Sequence, residues 1–494
     1  MTTPRYFAVT LVALCSACAA PLLRPQIAMP AAYDNASASD RAAADGNVSE
    51  AWWDQLDDPA LSALIDLMRT ENLDLQTAGA RVAQARALAA QARSLRYPQV
   101  LLQGGGSYAH TTSAVFGDSD TLGASASVPV SYEIDWLQAR GRDARAADLD
   151  GDAGALDLEA ATITLAAQVA ESYFALREAQ ARAGLLEAYV ASNQTFLELI
   201  ELRYQEGLNS AVDVLQQRQL VLSTQSQLTT ARAGIRMAEQ ALAALLGPEA
   251  LAPLREVAAG ALPAPPAVPN AGVPEALLQN RPDLRAAHRR VRAADLRVGT
   301  AVAARLPSFF LSGTLGYSYS RTEGQTYGAT DANMDGVPDG FGLVERTSTN
   351  DGFNWNAGVQ LQWSLFDGGR GRATVNLREA QLREAVLAYA SKTRGAIAEV
   401  ETALAREVGT RERFSATEEQ TELSRQTVRS ARDRFREGLI EYLQVLSATT
   451  SMQQAELNLL SLRRQLLSDR IQLYRALGGA WSGDLAPSVT ENDS

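Results

Sequence analysis

Arg203-Tyr204-Gln205-Glu206-Gly207-Leu208 returns as Arg434-Phe435-Arg436-Glu437-Gly438-Leu439, 231 residues further along a chain of 494. Each copy ends one long proline-free run and begins another, so each reads as a helix that reverses at a glycine. Working outward, Asp74-Leu75 matches Asp283-Leu284 and Arg96-Tyr97-Pro98 matches Arg305-Leu306-Pro307, both 209 residues apart. Arg140-Gly141-Arg142 matches Arg370-Gly371-Arg372 at a distance of 230. The chain is therefore one architecture built from two similar halves, and length is a poor guide to its domain count. Because the offset grows by 21 between the proline and the Arg-Gly-Arg landmarks, the second half carries an insertion there.

The first half, 49–275, is expected to hold helices at about 72–95, 143–203 and 210–246. The second, 276–481, is expected to hold them at about 280–305, 373–436 and 442–477. The runs of some sixty residues without proline make rods of about 90 Å at 1.5 Å per residue. Leu382, Val386 and Tyr389, then Ile397, Val400, Leu404 and Val408, recur at three- and four-residue steps, the stripe of a helix packed on partners. A filamentous coiled coil would look the same up to this point.

Segments of the other period exclude that reading. Ala124, Ala126, Val128, Val130, Tyr132 and Ile134 alternate with Ser125, Ser127, Pro129, Ser131, Glu133 and Asp135. Phe353, Trp355, Ala357, Val359, Leu361, Trp363 and Leu365 alternate with a polar row in the same way. With Leu311 to Tyr319 and the weaker Val100 to His110, this predicts strands at about 98–111, 122–136, 307–320 and 353–366, one hairpin per half. Two-faced strands of this length with aromatic ends suit a transmembrane barrel, which about 9 to 11 tilted residues per strand can span. Four strands cannot close alone, and open edges in lipid leave backbone groups unpaired, so a membrane sheet requires several subunits.

A net charge of −12, with basic residues interspersed among acids, argues against nucleic acid as a partner. The only cysteines are Cys15 and Cys18. Arg5, the apolar run Phe7 to Leu14 and the small residues before Cys18 read as a bacterial export signal. Leu14-Cys15-Ser16-Ala17-Cys18 resembles a lipobox, with 1–17 the signal peptide, Cys18 the lipidation site, 18–48 a lipid-anchored extended tether and 482–494 a disordered tail. The insertion contains Asp331-Ala332-Asn333-Met334-Asp335-Gly336-Val337-Pro338-Asp339. Asp331, Asn333, Asp335 and Asp339, with Gly336 between them, match the front of a calcium-binding loop, although Gly342 stands where a bidentate Glu is usual. The two histidines, His110 and His288, have no metal-ligand spacing and there is no nucleophile elbow, so an enzyme finds no support and no other cofactor is expected.

Further motifs carry a resemblance. Trp52-Trp53, Asn72-Leu73-Asp74-Leu75, Tyr97-Pro98-Gln99, Ser131-Tyr132-Glu133-Ile134-Asp135-Trp136, Asn280-Arg281-Pro282-Asp283-Leu284, Leu365-Phe366-Asp367-Gly368-Gly369-Arg370 and Tyr474-Arg475-Ala476-Leu477-Gly478-Gly479 together resemble the TolC-type outer-membrane efflux proteins, in the lipid-anchored OprM/NodT branch. The resemblance implies a mainly α fold with a membrane β-barrel: a homotrimer with four strands per subunit in a twelve-stranded barrel, and long coiled helices forming a periplasmic tunnel. It implies an exit duct of a tripartite pump, exporting small molecules passively in contact with outer-membrane lipid, a periplasmic adaptor and an inner-membrane transporter of the RND type. The rivals are a pore-free periplasmic coiled-coil adaptor or structural protein and, within the class, a type I protein secretion duct.

The same resemblance makes Gly207, Leu208, Gly438 and Leu439 the periplasmic tip and adaptor-docking residues. Asp213 becomes an aperture residue or a helix-start carboxylate. After Tyr442-Leu443 the chain has Ser447 and Thr450 where relatives carry charges, which points to a narrowing made of Leu443 and hydroxyls. The acidic balance leaves open a lumen that favours cations.

Overall fold

The computed structural model describes residues 29–35, 52–113, 117–247, 262–266, 268–330, 336–337 and 340–479. After a 3-10 turn at Trp52–Leu56 come α1 (Pro59–Glu71), α2 (Leu73–Ser94), β1 (Gln99–Val100), β2 (Gln103–Ser113), β3 (Gly117–Ile134), α3 (Ala139–Gln205) and α4 (Ala211–Leu246). The second half repeats the order with α5 (Pro282–Ala303), β4 (Ser308–Thr330), β5 (Gly340–Gln362), α6 (Arg370–Arg436) and α7 (Tyr442–Ala476). Two compact units emerge, one built from Arg86–Leu149 with Arg292–Glu384, the other from segments of Arg24–Ala85, Asp150–Val291 and Ala385–Ser494.

The first unit is an antiparallel sheet in the order β1 and β2 on one side of β3, then β4, then β5. Its registers run without a bulge, Ser127 facing Gly316 and Gly316 facing Asn354. The first strand is split, a departure from the single strand expected at 98–111. Leu101 donates to the carbonyl of Pro129, but Pro129 has no N–H to return, and the ladder breaks at Leu101-Leu102. The second correction lies in the insertion. Residues 321–330 and 340–352, expected as loop, continue β4 and β5 to 23 residues each, whereas Trp363–Phe366, expected as strand, lie beyond the end of β5. Trp136 and Trp363 close the strand ends by donating from Nε1 to the carbonyls of Pro307 and Arg305, at 3.1 and 3.2 Å.

Aspartates turn these strands into helices. Asp135 accepts the amides of Arg140 and Gly141, and Asp367 accepts those of Gly369 and Gly371, so the repeated Arg-Gly-Arg is a helix start capped from the short link that follows the strand. α3 and α6 begin a few residues earlier than expected and reach 67 residues, about 100 Å each.

The second unit holds the helical core. In α1, Asp58 caps the amides of Ala60 and Leu61, Pro59 takes the first turn, and Leu61, Leu64, Ile65 and Met68 form one buried stripe. Burial of each such side chain contributes about 1.5–3 kcal/mol. Trp52 stacks on Tyr474 at 5.5 Å, and Tyr474 donates to Gln55 at 2.6 Å, tying the first residues of the helical region to the last. The α3–α7 seam is polar at heptad steps: Glu171 accepts from Ser468, and Glu178 accepts from Ser461 and Arg464. Among the described residues no helix is long and apolar enough to cross a membrane.

Candidate functional site at the hairpin tips

The repeated glycines end α3 and α6 in matching turns. Gly207 and Gly438 have φ of 74° and 77°, the left-handed region a side chain resists. Leu208 donates to Arg203 at 2.8 Å and Gly207 to Tyr204 at 3.0 Å; Leu439 donates to Arg434 at 2.9 Å and Gly438 to Phe435 at 3.0 Å. Both turns have the paired bonds of a Schellman motif. Leu208 and Leu439 project from them, 65% and 68% exposed.

Beyond the glycines the two tips diverge. In the first, Ser210 caps Asp213 and Asp213 returns a bond to the Ser210 amide, a reciprocal capping box. Asn209 joins this box by donating to Asp213 at 3.0 Å and accepting from Arg203 at 2.9 Å. The second tip starts α7 at Glu441 with no side-chain cap. Arg203 also lies 4.6 Å above the ring of Phe435, joining the two hairpins by a cation–π contact. Asp213 therefore acts within its own tip as a helix-start carboxylate.

Tyr442, expected at the aperture, is a packing residue. It is 2% exposed, clustered with Ile200, Phe435 and Val445, and its hydroxyl donates to Gln217 at 2.9 Å. Burial, with the Asp213 charge adding to it, holds its hydroxyl firmly protonated. Gln217 passes the connection on to the carbonyl of Asn193, and Asn193 bonds Thr224 and Gln453, a buried polar hub shared by α3, α4 and α7. Asn193 and Gln217 were not legible as site residues, since a buried amide looks like any solvated one in sequence. The Ser210-x-x-Asp213 spacing does carry a sequence signal. Leu443, Ser447 and Thr450 stay on the exposed side of α7. Leu443 and Ser447 line a groove of about 470 Å³ with Ser424, Thr427, Gln444 and Ser451. Cys18, Asp331, Asn333, Asp335 and Asp339 lie outside the described residues, as do the expected signal peptide and tail.

An antiparallel strand pair in each half, followed in sequence by a helix of 67 residues that reverses at a glycine into another, defines a channel subunit of the barrel-and-tunnel type. The model of the outer membrane efflux protein family matches residues 64–248 and 273–479, and the chain belongs to that family. It is 31% identical to the pyoverdine export outer membrane protein OpmQ of Pseudomonas putida, across 98% of this chain and 99% of that protein. To nodulation protein T of Rhizobium leguminosarum bv. trifolii it is 27% identical over 87% and 86% of the two chains. Its fold superposes on the outer-membrane channel OprN with a TM-score of 0.77 at 26% identity, covering 93% of this chain and 99% of that one. The protein is an outer-membrane channel, the exit duct of a tripartite efflux pump.

Proposed function

We propose that three copies of this chain close a twelve-stranded barrel in the outer membrane and export small molecules delivered by an adaptor and an inner-membrane transporter of the RND type. The observation that carries the assembly is the open sheet. Among the described residues β5 pairs only with β4 and β2 only with β3, which leaves two edges, and each unpaired backbone group in lipid costs several kcal/mol. Pairing β5 of one copy with β2 of the next removes every edge. The mass of the detergent-extracted complex from outer membranes, corrected for detergent, should be that of a trimer. A soluble monomer in the periplasmic fraction would overturn the assembly.

Leu208 and Leu439 are the docking points for the adaptor in this reading, and Leu443 with Ser447 and Thr450 narrows the passage. An apolar narrowing responds weakly to salt, so steeply ionic-strength-dependent opening would count against it. Small-molecule cargo is favoured by the kinship to OpmQ, a protein named for pyoverdine export, and to the solvent efflux pump protein SrpC of Pseudomonas putida. Cys18 carries the lipid, and labelling with radioactive palmitate should vanish in Cys18→Ala. The Asp331–Asp339 loop takes calcium, and a flat calcium titration of chelator-treated protein would remove that assignment.

A further inference from the structure

The unbroken registers sort the strand residues onto two faces. One face runs from Ile134, Phe309 and Leu361 through Leu315 and Trp355 to Tyr317 and Phe353, and turns charged only above that level, at Asp351, Arg321 and Asp120. Eleven residues of β3, from Ile134 up to Ala124 at the level of Asp351, take the strand across this apolar band. At about 3.3 Å per residue and the usual tilt they span about 25 Å, the height of a barrel's lipid-facing belt.

The opposite face has a different chemistry. Glu133, bonded to Arg140 at 2.6 Å, stands at its lower end, and Arg346, opposite Gly324, near its upper end. Between those two, every strand residue on this face is Ser, Thr, Asn, Gln, Gly, Ala or Pro. Asn354 donates to Ser318 at 3.3 Å, and the hydroxyls of Thr121 and Thr322 lie 3.2 Å apart, so the groups meet across strands. A chain of net charge −12 has thus kept its acids off this surface above the level of Glu133. Hydroxyls and amides both donate and accept, so they solvate an anion and a cation equally well, whereas a ring of carboxylates or guanidiniums would favour one sign.

We propose that the barrel section is an electrically neutral, hydrogen-bonding sleeve that passes polar solutes of either charge alike, so that cargo is admitted there by size and hydrogen-bonding capacity. The inference rests on the trimeric assembly, which turns this face to the lumen. The sequence left open an acidic, cation-favouring lumen; the barrel walls carry no such charge.

The test uses the scarcity of cysteine, since the parent chain has only Cys15 and Cys18. Ser127→Cys places a thiol on the polar face, and Val128→Cys places one on the apolar face as a lipid-side control. Intact cells are treated from outside with cationic, anionic and neutral methanethiosulfonates, and labelling rates are compared with those of a free thiol. A neutral sleeve keeps the cation-to-anion rate ratio within about twofold of the free-thiol ratio, and adding Ser318→Asp raises it by about tenfold. A parent ratio already shifted by about fivefold in either direction overturns the proposal while leaving the duct intact. Asn354→Cys is the second probe of the same face. If both polar-face thiols are inert to all three reagents while Val128→Cys reacts, the lumen assignment falls and the inference with it.

Discussion

Asn72 and Arg281 occupy matching positions in the two halves, and each donates to a carbonyl at the end of the last tunnel helix of its own half. Asn72 Nδ2 reaches the carbonyl of Leu245 at 2.8 Å, and Arg281 Nη1 reaches that of Ala476 at 3.0 Å. Leu245 and Ala476 are themselves 231 residues apart, the spacing of the two tips. Each half is thereby closed on itself at the end of its hairpin remote from the tip in sequence. A polar amide suffices in the first half, whereas the second uses a guanidinium that also holds Asp283 and Glu399.

Arg281→Ala should therefore cost far more than Asn72→Ala. Arg281 is 9% exposed, and removing it takes the guanidinium away from the partly buried Asp283 carboxylate and from the helix-end carbonyl of Ala476. The loss should be about 3–5 kcal/mol, against about 1–2 for Asn72→Ala. Thermal unfolding of the detergent-solubilised protein reads both, and equal losses would refute the distinction.

The same cluster gives a pH dependence of known sign. Burial by itself raises the Asp283 carboxyl, but the hydrogen bonds and charge of Arg281 outweigh it and hold it below the usual range. A group depressed in the folded state stabilises above its unfolded value, about 4, and that contribution is lost as pH falls through the folded value. Asp283→Asn should thus lower the melting temperature at pH 7, and the gap should narrow as the pH falls below about 4 towards the lowered folded value. A gap that does not narrow on acidification would remove the ion pair as its cause.

Where one face of the chain meets lipid or core, its period was readable: Ala124 to Ile134 showed a strand, and Leu382 to Val408 the stripe of a long helix. Above the membrane that contrast vanishes. Thr322, Ser348 and Thr349 are polar on both faces of β4 and β5, and the end of β4 and the start of β5 therefore read as loop. At the tips Gly207 and Gly438 announced themselves, because few other residues take their backbone angles. Tyr442 misled for the opposite reason. Its neighbour Leu443 is exposed, and only three-dimensional packing decides which of two adjacent residues turns inward.

The unequal caps make the first tip the firmer one. Ser210→Ala or Asp213→Ala should remove about 1 kcal/mol from the start of α4, whereas Glu441→Ala, which loses no side-chain cap, should leave α7 as it is. Hydrogen exchange at residues 211–214 and 442–445 reports each start separately. Faster exchange at α7 in Glu441→Ala, or none at α4 in Ser210→Ala, would contradict the assignment.

Glu401 of α6 fixes the segment that precedes the first helix. Its carboxylate accepts the amides of Asp34 and Asn35 at 2.7 and 3.1 Å and the Asn35 side chain at 2.8 Å, while Tyr33 is buried in the core at 1% exposure. Burial first, and then the nearby Glu401 charge, keep the Tyr33 hydroxyl protonated, so the clamp works through backbone donors and an apolar plug. Glu401→Ala leaves two backbone amides and a side-chain amide to water, at about 1.5–3 kcal/mol for a bond to a charged group. The N-terminal segment should then be cut near residue 35 by a protease that spares the parent protein, while the trimer mass stays unchanged. Tyr33→Ala should have the same effect through the lost plug. Protease resistance equal to the parent in both variants would show that the segment is held by contacts other than this clamp.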